Sequence, residues 1–259
     1  HGTSVPVPEA IWLENDARWL GSPFFVMQEL QGFEAGPQQI TQPPYAEHAA
    51  KLAEQKWTIL GEIAKADPFA LGLDATFEVV APEQCWQREL DYWAAKLDRD
   101  APCPQPIMQA VIRRLRRSPP PPPAALGVVH GDYRTGNFLY DTDGNVHAIL
   151  DWEMAHLGDP LEDLAWSLNR VFHWARDDRA GGLVAKAEAI AIWERSAGRK
   201  AEPEALLWWE LFNHVKGQAI WLAAGTEFIK GDNRDPVLAM PGLIMANSQD
   251  RASLELLGK

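Results

Sequence analysis

With 259 residues, the chain is long enough to bury a substantial core, in one large domain or two small ones. Its 46% hydrophobic content and twelve tryptophans exclude a disordered chain. Its net charge of −12 argues against a nucleic-acid partner, because phosphate backbones are bound by clustered lysine and arginine.

Two apolar runs near the start of the chain, residues 10–13 and 24–27, flank a segment that contains Gly21 and Pro23. Glycine and proline mark turns, so this pattern predicts a two-stranded hairpin. Periodicity alone leaves open whether this hairpin binds a ligand or is a plain edge of the fold.

Most of the remaining chain is predicted to be helical, because apolar residues recur at helical spacing. The predicted helices span residues 43–66, 83–97, 107–117, 183–198, 204–224 and 238–249. A run of prolines at 119–123 predicts a stiff connector, which leads into a strand at 126–129. The tryptophan-rich segment 204–224 fits a buried helix.

The centre of the chain carries the strongest functional signal. Asp143-Gly144 lies between two short apolar runs, which predicts a β-hairpin. If Gly144 lies near the tip, Asn137 and Asp151 face each other at the open end of the hairpin. An amide oxygen and a carboxylate side by side suit Mg²⁺, which takes one or two carboxylates and leaves other positions to water and phosphates.

Asp132 lies five residues before Asn137, on the segment that enters the hairpin. There it could accept a proton from an attacking hydroxyl, the role of the aspartate in kinase loops written His-x-Asp-x-x-x-x-Asn. The alternative is that Asp132 and Asp151 are ordinary turn and strand-end residues, because aspartate is favoured in turns. The amide expected to face Asp151 favours the catalytic interpretation.

Three blocks of the sequence resemble the aminoglycoside phosphotransferase and choline kinase superfamily. They are HGDYRTGN at 130–137, ILDWE at 149–153 and GDPLEDLA at 158–165, in that order. The resemblance implies an α+β, protein-kinase-like fold with a mostly helical C-terminal lobe and hinge strands. It implies a remnant of the N-terminal lobe and the hinge at 1–32, and the helical lobe with the catalytic hairpin at 33–259.

The resemblance also implies roles for individual residues. The positions that match Asp132, Asn137 and Asp151 are the catalytic base and the two metal ligands of that family. The implied cofactors are ATP and Mg²⁺, with adenine bonded to the backbone of the hinge. The implied nucleotide-binding residues are Met27, Gln28, Glu29 and Leu30.

Four further residues are expected to support the site without reacting. They are His130, Arg134, Asp159 and Asp163. His130 ends an apolar strand and is expected to be a hydrogen-bonded packing residue. Asp159 is expected to cap a helix, with proline at the first position and glutamate three residues after the cap. The family match of Asp163 braces the catalytic loop.

These observations predict a small-molecule kinase that moves the γ-phosphoryl group of ATP to a hydroxyl. The motifs are most similar to bacterial phosphotransferases that resemble the kinase part of acyl-CoA dehydrogenase family members 10 and 11. That similarity implies an acyl or other small metabolite as acceptor. The Gly-rich turn and strand lysine of a kinase ATP site do not appear in the sequence, so we expect a fragment of a longer protein, whose activity by itself stays open.

Two other functional classes remain open. A non-catalytic kinase-like module would bind a partner through its tryptophan-rich surface, and the missing Gly-rich turn favours it. A metal-dependent hydrolase would use His130, Asp132, Asp151 and His156, and would bind Zn²⁺ or Mn²⁺ through histidine.

The two cysteines, Cys85 and Cys103, show no metal-binding spacing. Neither a signal peptide nor a transmembrane helix is predicted. We therefore expect a reduced, cytoplasmic protein that is not associated with membranes. The expected partners are a nucleotide and a small hydroxyl-bearing substrate, and the sequence does not indicate an oligomeric state.

Overall fold

Helices dominate the computed structural model, which describes residues 2–174 and 178–258. The strands in these residues are β1 (Ala10–Glu14), β2 (Phe24–Met27), β3 (Gly127–Val129), β4 (Phe138–Tyr140), β5 (Val146–Ile149) and β6 (His156–Gly158). The helices there are α1 (Ala49–Lys65), α2 (Cys85–Asp100), α3 (Pro106–Arg117), α4 (Leu161–Ser167), α5 (Lys186–Ala197), α6 (Pro203–Lys230) and α7 (Ala246–Leu257). The strands form antiparallel pairs, β1 with β2, β3 with β6, and β4 with β5.

Helix α6 forms the centre of the helical lobe. It packs against α2, α3, α4 and α7, and its buried side chains occur on all sides of the helix. A helix that is surrounded in this way lacks a single apolar stripe. Polar residues in the middle of the helix, Asn213, Lys216 and Gln218 among them, are therefore buried as well.

Helix α1 joins the helical lobe to the hairpin of β4 and β5. One side packs against α5 so closely that a Cβ at Gly61 would lie 2.4 Å from the Ser196 Cβ. From the other side, Lys51 Nζ donates to the carbonyl oxygen of Asp143 at 2.9 Å. Gln55 Nε2 donates to the carbonyl oxygen of Gly144 at 2.7 Å, so the helix fixes the tip of the hairpin.

The predicted helices form, with shifted ends. Helix α6 continues past residue 224 to Lys230 and stops where Gly231 takes the left-handed conformation, with φ of 79°. The last predicted helix, at 238–249, is wrong in its bounds. A π-helical turn covers Pro241–Met245, and α7 continues to Leu257.

The predicted hairpin of β1 and β2 also forms, but its apolar side chains are exposed. Ile11 is 60% exposed, Trp12 62% and Phe25 64%. A backbone hydrogen bond of 2.8 Å, from Ile149 N–H to the Pro6 carbonyl oxygen, ties the segment before β1 to β5. The α+β class dominated by a helical lobe is confirmed. The boundary at residue 32, between the remnant of the N-terminal lobe and the helical lobe, stays a prediction. None of the described helices is both long and apolar enough to cross a membrane.

Candidate active site

The hairpin of β4 and β5 has the predicted turn at Asp143-Gly144. Asp141 closes this turn, since its Oδ1 accepts the backbone N–H groups of Asp143 and Asn145 at 3.0 and 2.8 Å. Gly144 has a φ of 76°, a left-handed conformation that glycine adopts without strain. Local side-chain and backbone chemistry therefore determine the turn.

The predicted pairing of Asn137 with Asp151 is wrong by one residue. Phe138 lies opposite Ile149, and an irregularity in the register follows toward the turn. Leu150 N–H therefore donates to the carbonyl oxygen of Asn137 at 2.8 Å, and Asp151 comes one position later. The one-residue shift in pairing arises because the hairpin turn is centred before Gly144 and not on it. Asn137 and Asp151 still lie at the same open end of the hairpin.

Asp151 leaves the hairpin in an unusual backbone conformation. Its φ of 66° is left-handed, which is uncommon for residues other than glycine and recurs at functional sites. The side chain is exposed and accepts no hydrogen bond from any described residue. Its carboxylate is thus available to a ligand.

Three side chains donate hydrogen bonds to the Asp132 carboxylate. Trp166 Nε1 lies 2.7 Å from Oδ1, and Asn137 Nδ2 lies 2.7 Å from Oδ2. Arg134 Nε lies 3.2 Å from Oδ1 and 3.1 Å from Oδ2. These donors fix the orientation of the carboxylate in the loop between β3 and β4.

The contacts of Asn137 determine where its amide oxygen points. Nδ2 donates both to the Asp132 carboxylate and, at 2.9 Å, to the Asp132 carbonyl oxygen. The amide oxygen therefore points away from Asp132. Together with the Asp151 carboxylate it forms a set of hard oxygen donors, which fits the preferences of Mg²⁺.

Asp163 and His130 hold the loop that carries Asp132 by its backbone. The Asp163 carboxylate accepts the N–H groups of His130 and Gly131 at 2.5 and 2.9 Å. Burial raises the pKa of the Asp163 carboxyl. His130 Nδ1 accepts the Asp132 N–H at 3.2 Å, and Nε2 lies 2.9 Å from the Leu150 carbonyl oxygen. Both ring nitrogens of His130 are therefore engaged with the backbone.

Helix α6 holds the same loop through Lys216. Its Nζ donates to the carbonyl oxygen of Gly131 at 2.6 Å and to Glu162 at 2.9 Å. Gly131 has a φ of 86°, and a Cβ there would lie 2.4 Å from the Met154 carbonyl oxygen. The position requires glycine, and its carbonyl group meets a buried cation.

A buried network of charges extends from Lys216 away from the loop. His156 Nε2 lies 3.2 Å from Glu162 and 3.7 Å from Glu89, which in turn pairs with Arg88 at 2.9 Å. Burial disfavours the charged form of His156, but the Glu162 carboxylate outweighs it and raises the pKa of His156 to about 9. The ligand atoms of Glu89, His156 and Glu162 lie within 4.8 Å of one another, as in a metal site. Lys216 and Arg88 already supply positive charge to these carboxylates.

A metal-dependent hydrolase would require His130 and His156 to lie beside the carboxylates of Asp132 and Asp151, but the two histidines contact other groups. His156 pairs with Glu162 and Glu89, whereas His130 contacts backbone atoms. Within the described parts of the chain, no hydrogen bond or ion pair joins either histidine side chain to the carboxylates of Asp132 or Asp151. This arrangement disfavours a histidine-bound metal at Asp132.

A cavity of about 670 Å³ opens beside Asp132. This volume is in the range of small-molecule sites. Aromatic and charged side chains form much of its lining. The lining residues are Glu78, Arg88, Glu89, Tyr92, Trp93, Lys96, Asp132, Arg134, Asp151, Glu153, Met154, Ala155, His156, Trp166, Lys216, Ile220 and Trp221. The cavity therefore connects the candidate base with Asp151.

The four predicted nucleotide-binding residues lie outside this lining. Met27, at the end of β2, is 49% exposed. Gln28 N–H donates to the Glu9 carbonyl oxygen at 2.8 Å, and Glu29 and Leu30 follow it. The chain then reaches the hairpin of β4 and β5, where Glu34 and Tyr140 exchange backbone hydrogen bonds of 2.9 Å. A role of residues 27–30 in binding a nucleotide stays a prediction.

Asp159 is buried and lies one residue before Pro160, which takes the N-cap position of α4 in place of the predicted Asp159. Its Oδ1 accepts the Leu161 N–H at 3.0 Å, and its Oδ2 accepts the Trp209 Nε1–H at 2.9 Å. The Glu162 side chain does not complete the expected capping box. It is directed to Lys216 and His156, because a buried cation attracts a carboxylate more strongly than a backbone N–H group does.

Sequence reasoning missed Trp166 and Lys216, which contact the loop that carries Asp132. Their contacts with Asp132 and Gly131 span 34 and 85 positions of the chain. Only Lys216 left a signal, since it is a charged residue in the middle of the apolar, tryptophan-rich segment. Neither contact could be inferred from local spacing.

This fold and its loop place the chain in the class of protein-kinase-like phosphotransferases. The model of the phosphotransferase enzyme family matches residues 1–203. The chain belongs to that family, which confirms the predicted superfamily.

A curated relative agrees with this assignment, and two solved structures share the fold. Acyl-CoA dehydrogenase family member 11 of Gallus gallus is 30% identical over 168 residues, which are 64% of this chain and 21% of that protein. This chain thus spans about a fifth of that relative. A structure described as a putative aminoglycoside phosphotransferase from Ralstonia eutropha has a TM-score of 0.80 at 22% identity, over 98% of this chain and 79% of that one. The GDP complex of wild-type aminoglycoside 2'-phosphotransferase-IIIa has a TM-score of 0.64 at 14% identity, over 96% and 77%.

Proposed function

We propose that this chain is the catalytic part of a kinase that moves the γ-phosphoryl group of ATP to a hydroxyl of a small molecule. The proposal rests on one observation about the arrangement of three residues. Asp132, Asn137 and Asp151 lie on one loop and hairpin, and Asp132 and Asp151 line a cavity large enough for a small acceptor. Membership of the phosphotransferase family supports the same reaction class.

In the proposed reaction, Asp132 accepts the proton of the acceptor hydroxyl as its oxygen attacks the γ-phosphorus. A new phosphorus–oxygen bond forms, the bond to the bridging oxygen breaks, and ADP leaves. The Asn137 amide oxygen and the Asp151 carboxylate would hold Mg²⁺, which would supply positive charge to the phosphates. Asp163 and Lys216 keep the backbone before Asp132 in place.

The comparisons also bear on the substrates. Similarity to acyl-CoA dehydrogenase family member 11 supports a hydroxyl on an acyl or other small metabolite as acceptor. The GDP complex of a solved neighbour makes GTP the natural competitor of ATP as donor. In the proposal the nucleotide base contacts the backbone of residues 27–30. A cytoplasmic location is part of the proposal, because Cys85 and Cys103 are both free thiols.

Replacement of the base tests the proposal. We expect Asp132→Ala to lower phosphoryl transfer by about 10²- to 10⁴-fold, which is the usual contribution of a general base. Release of ADP from ATP, or of GDP from GTP, is measured against hydroxyacyl compounds, aminoglycosides and choline. Asp74→Ala removes an exposed carboxylate from the loop after α1 and is expected to leave turnover unchanged. Turnover of Asp132→Ala within about tenfold of the parent would contradict the assigned role.

A non-catalytic binding module is the second candidate, and the exposed apolar side chains of β1 and β2 favour it. ATP binding with and without Mg²⁺, measured by calorimetry, separates the two. For a kinase we expect binding that depends on Mg²⁺ and is lost in Asp151→Ala, because a ligand of the metal is removed. Absence of binding to the parent chain would support the binding module.

A further inference from the structure

Helix α4 presents two side chains to the catalytic loop. Asp163 and Trp166 are three positions apart and therefore share one face of the helix. Asp163 accepts two backbone N–H groups ahead of the base. Trp166 reaches the base itself, since its Nε1–H donates to Asp132 Oδ1 at 2.7 Å. The helix thus holds both the backbone and the side chain of the loop.

The other donors to Asp132 belong to its own loop. Arg134 and Asn137 follow it by two and five residues. A donor on the same loop moves with the loop, and so it cannot fix the carboxylate relative to the rest of the lobe. Trp166 lies 34 residues away on a separate helix and provides that external reference.

The Trp166 ring is itself held firmly. It is 1% exposed, and it stacks on Trp221 with a centroid distance of 6.1 Å and an interplanar angle of 24°. The ring of Phe172 meets it edge-on at 5.1 Å, and Lys216 Nζ lies 5.2 Å from its centroid. Close packing on several sides restricts the indole to one orientation. Its N–H is therefore a fixed donor.

We propose that Trp166 is a positioning residue for the base, and that its indole N–H determines which lone pair of Asp132 faces the cavity. An ionised carboxylate offers about four acceptor sites. The N–H groups of Trp166, Asn137 and Arg134 occupy about three of these sites. With the rigid Trp166 donor among them, the site that stays free has a defined direction, as proton transfer from an acceptor hydroxyl requires. This inference rests on the proposed phosphoryl transfer. It adds a residue outside the catalytic loop to that function.

Trp166→Phe removes the N–H and keeps an aromatic ring. We expect kcat to fall by about 10- to 100-fold, while KM for ATP changes by less than about threefold, because the loss concerns orientation in the transition state. Trp193→Phe is the matched control, since Trp193 is a fully buried tryptophan of α5 whose Nε1 has no partner among the described residues. A kcat of Trp166→Phe within twofold of the parent, or an equal fall in the control, would overturn the positioning role.

A spectroscopic measurement tests the contact independently of activity. In protein with ¹⁵N-labelled tryptophan, the indole resonance of Trp166 is the one missing from Trp166→Phe. We expect it to lie downfield in the parent and to move upfield in Asp132→Ala, while the Trp193 resonance stays in place. If the parent turns over no acceptor, the proposed function fails. The resonance of Trp166 still shows whether its indole N–H contacts Asp132. An indole resonance of Trp166 that Asp132→Ala leaves unchanged overturns the inference.

Discussion

The loop that carries Asp132 has a buried lysine on each of two sides, and the two lysines differ in their partners. On the side of α4 and α6, Lys216 is 1% exposed and pairs with Glu162 at 2.9 Å. On the side of α1, Lys56 is 0% exposed, and its Nζ lies 3.3 Å from Thr135 Oγ1. No carboxylate within the described residues pairs with Lys56.

This difference decides the charge of each lysine. Burial lowers the pKa of Lys56 to about 7, and the positive charge of Arg134 contributes to the shift. Burial acts in the same direction on Lys216, but the Glu162 carboxylate outweighs it and raises the pKa above the usual value. A buried lysine thus stays a cation only where a carboxylate accompanies it. The α6 side holds a permanent charge beside Gly131, and the α1 side holds one that titrates near neutrality.

Of changes at the two lysines, Lys216→Met is expected to have the larger effect on the free energy of unfolding. The change leaves Glu162 buried with His156 as its remaining ionic partner and leaves the Gly131 carbonyl group without its donor. Removal of one partner of a buried ion pair costs about 3–5 kcal/mol, because the other charge stays buried. The free energy of unfolding from urea titration measures the loss.

Lys200→Met is the matched control for that prediction. Lys200 pairs with Glu194, but its side chain is 75% exposed. Exposed pairs contribute about 0–1 kcal/mol, so we expect a change of at most that size. A loss below about 1 kcal/mol in Lys216→Met would mean that the buried pair does not stabilise the α6 side.

Local sequence signals were sufficient for much of this fold. The loop that carries Asp132, the Asp-Gly turn and the amphipathic helices each depend on residues close together in the chain. The family blocks indicated the kinase-like fold for the same reason, since each one is a short segment. Even the misplaced ends of α6 and α7 leave the helices themselves correctly identified.

The supporting contacts of the site could not be predicted in this way. Lys56 meets Thr135 across 79 positions, and the contacts of Lys216 and Trp166 with the loop are similarly distant in sequence. Such contacts depend on how whole helices pack. The pairing of Asn137 failed for a related reason, because one residue of asymmetry in a turn displaces every position beyond it.

A smaller effect, of opposite sign, is expected from Lys56→Met. The unfolded chain binds a proton on Lys56 up to its usual pKa of 10.5, whereas the folded chain releases it near pH 7. The folded state therefore bears the full penalty of a buried charge below pH 7, and stability of the parent rises with pH between 7 and 10.5. Methionine has a similar length and no charge, so the variant escapes this penalty.

A pKa lowered from 10.5 to about 7 corresponds to a penalty of about 5 kcal/mol at most, at about 1.4 kcal/mol per pKa unit. Loss of the Thr135 hydrogen bond, worth about 1 kcal/mol, offsets part of the gain, so we expect Lys56→Met to be more stable than the parent by about 2–4 kcal/mol at pH 6. Urea titrations across the pH range should show this advantage shrinking toward pH 10. Lys65→Met, an exposed position on the same helix, should show no such trend. A difference in the free energy of unfolding that stays constant with pH would mean that Lys56 remains charged. Both buried lysines next to the loop that carries Asp132 would then be permanent cations.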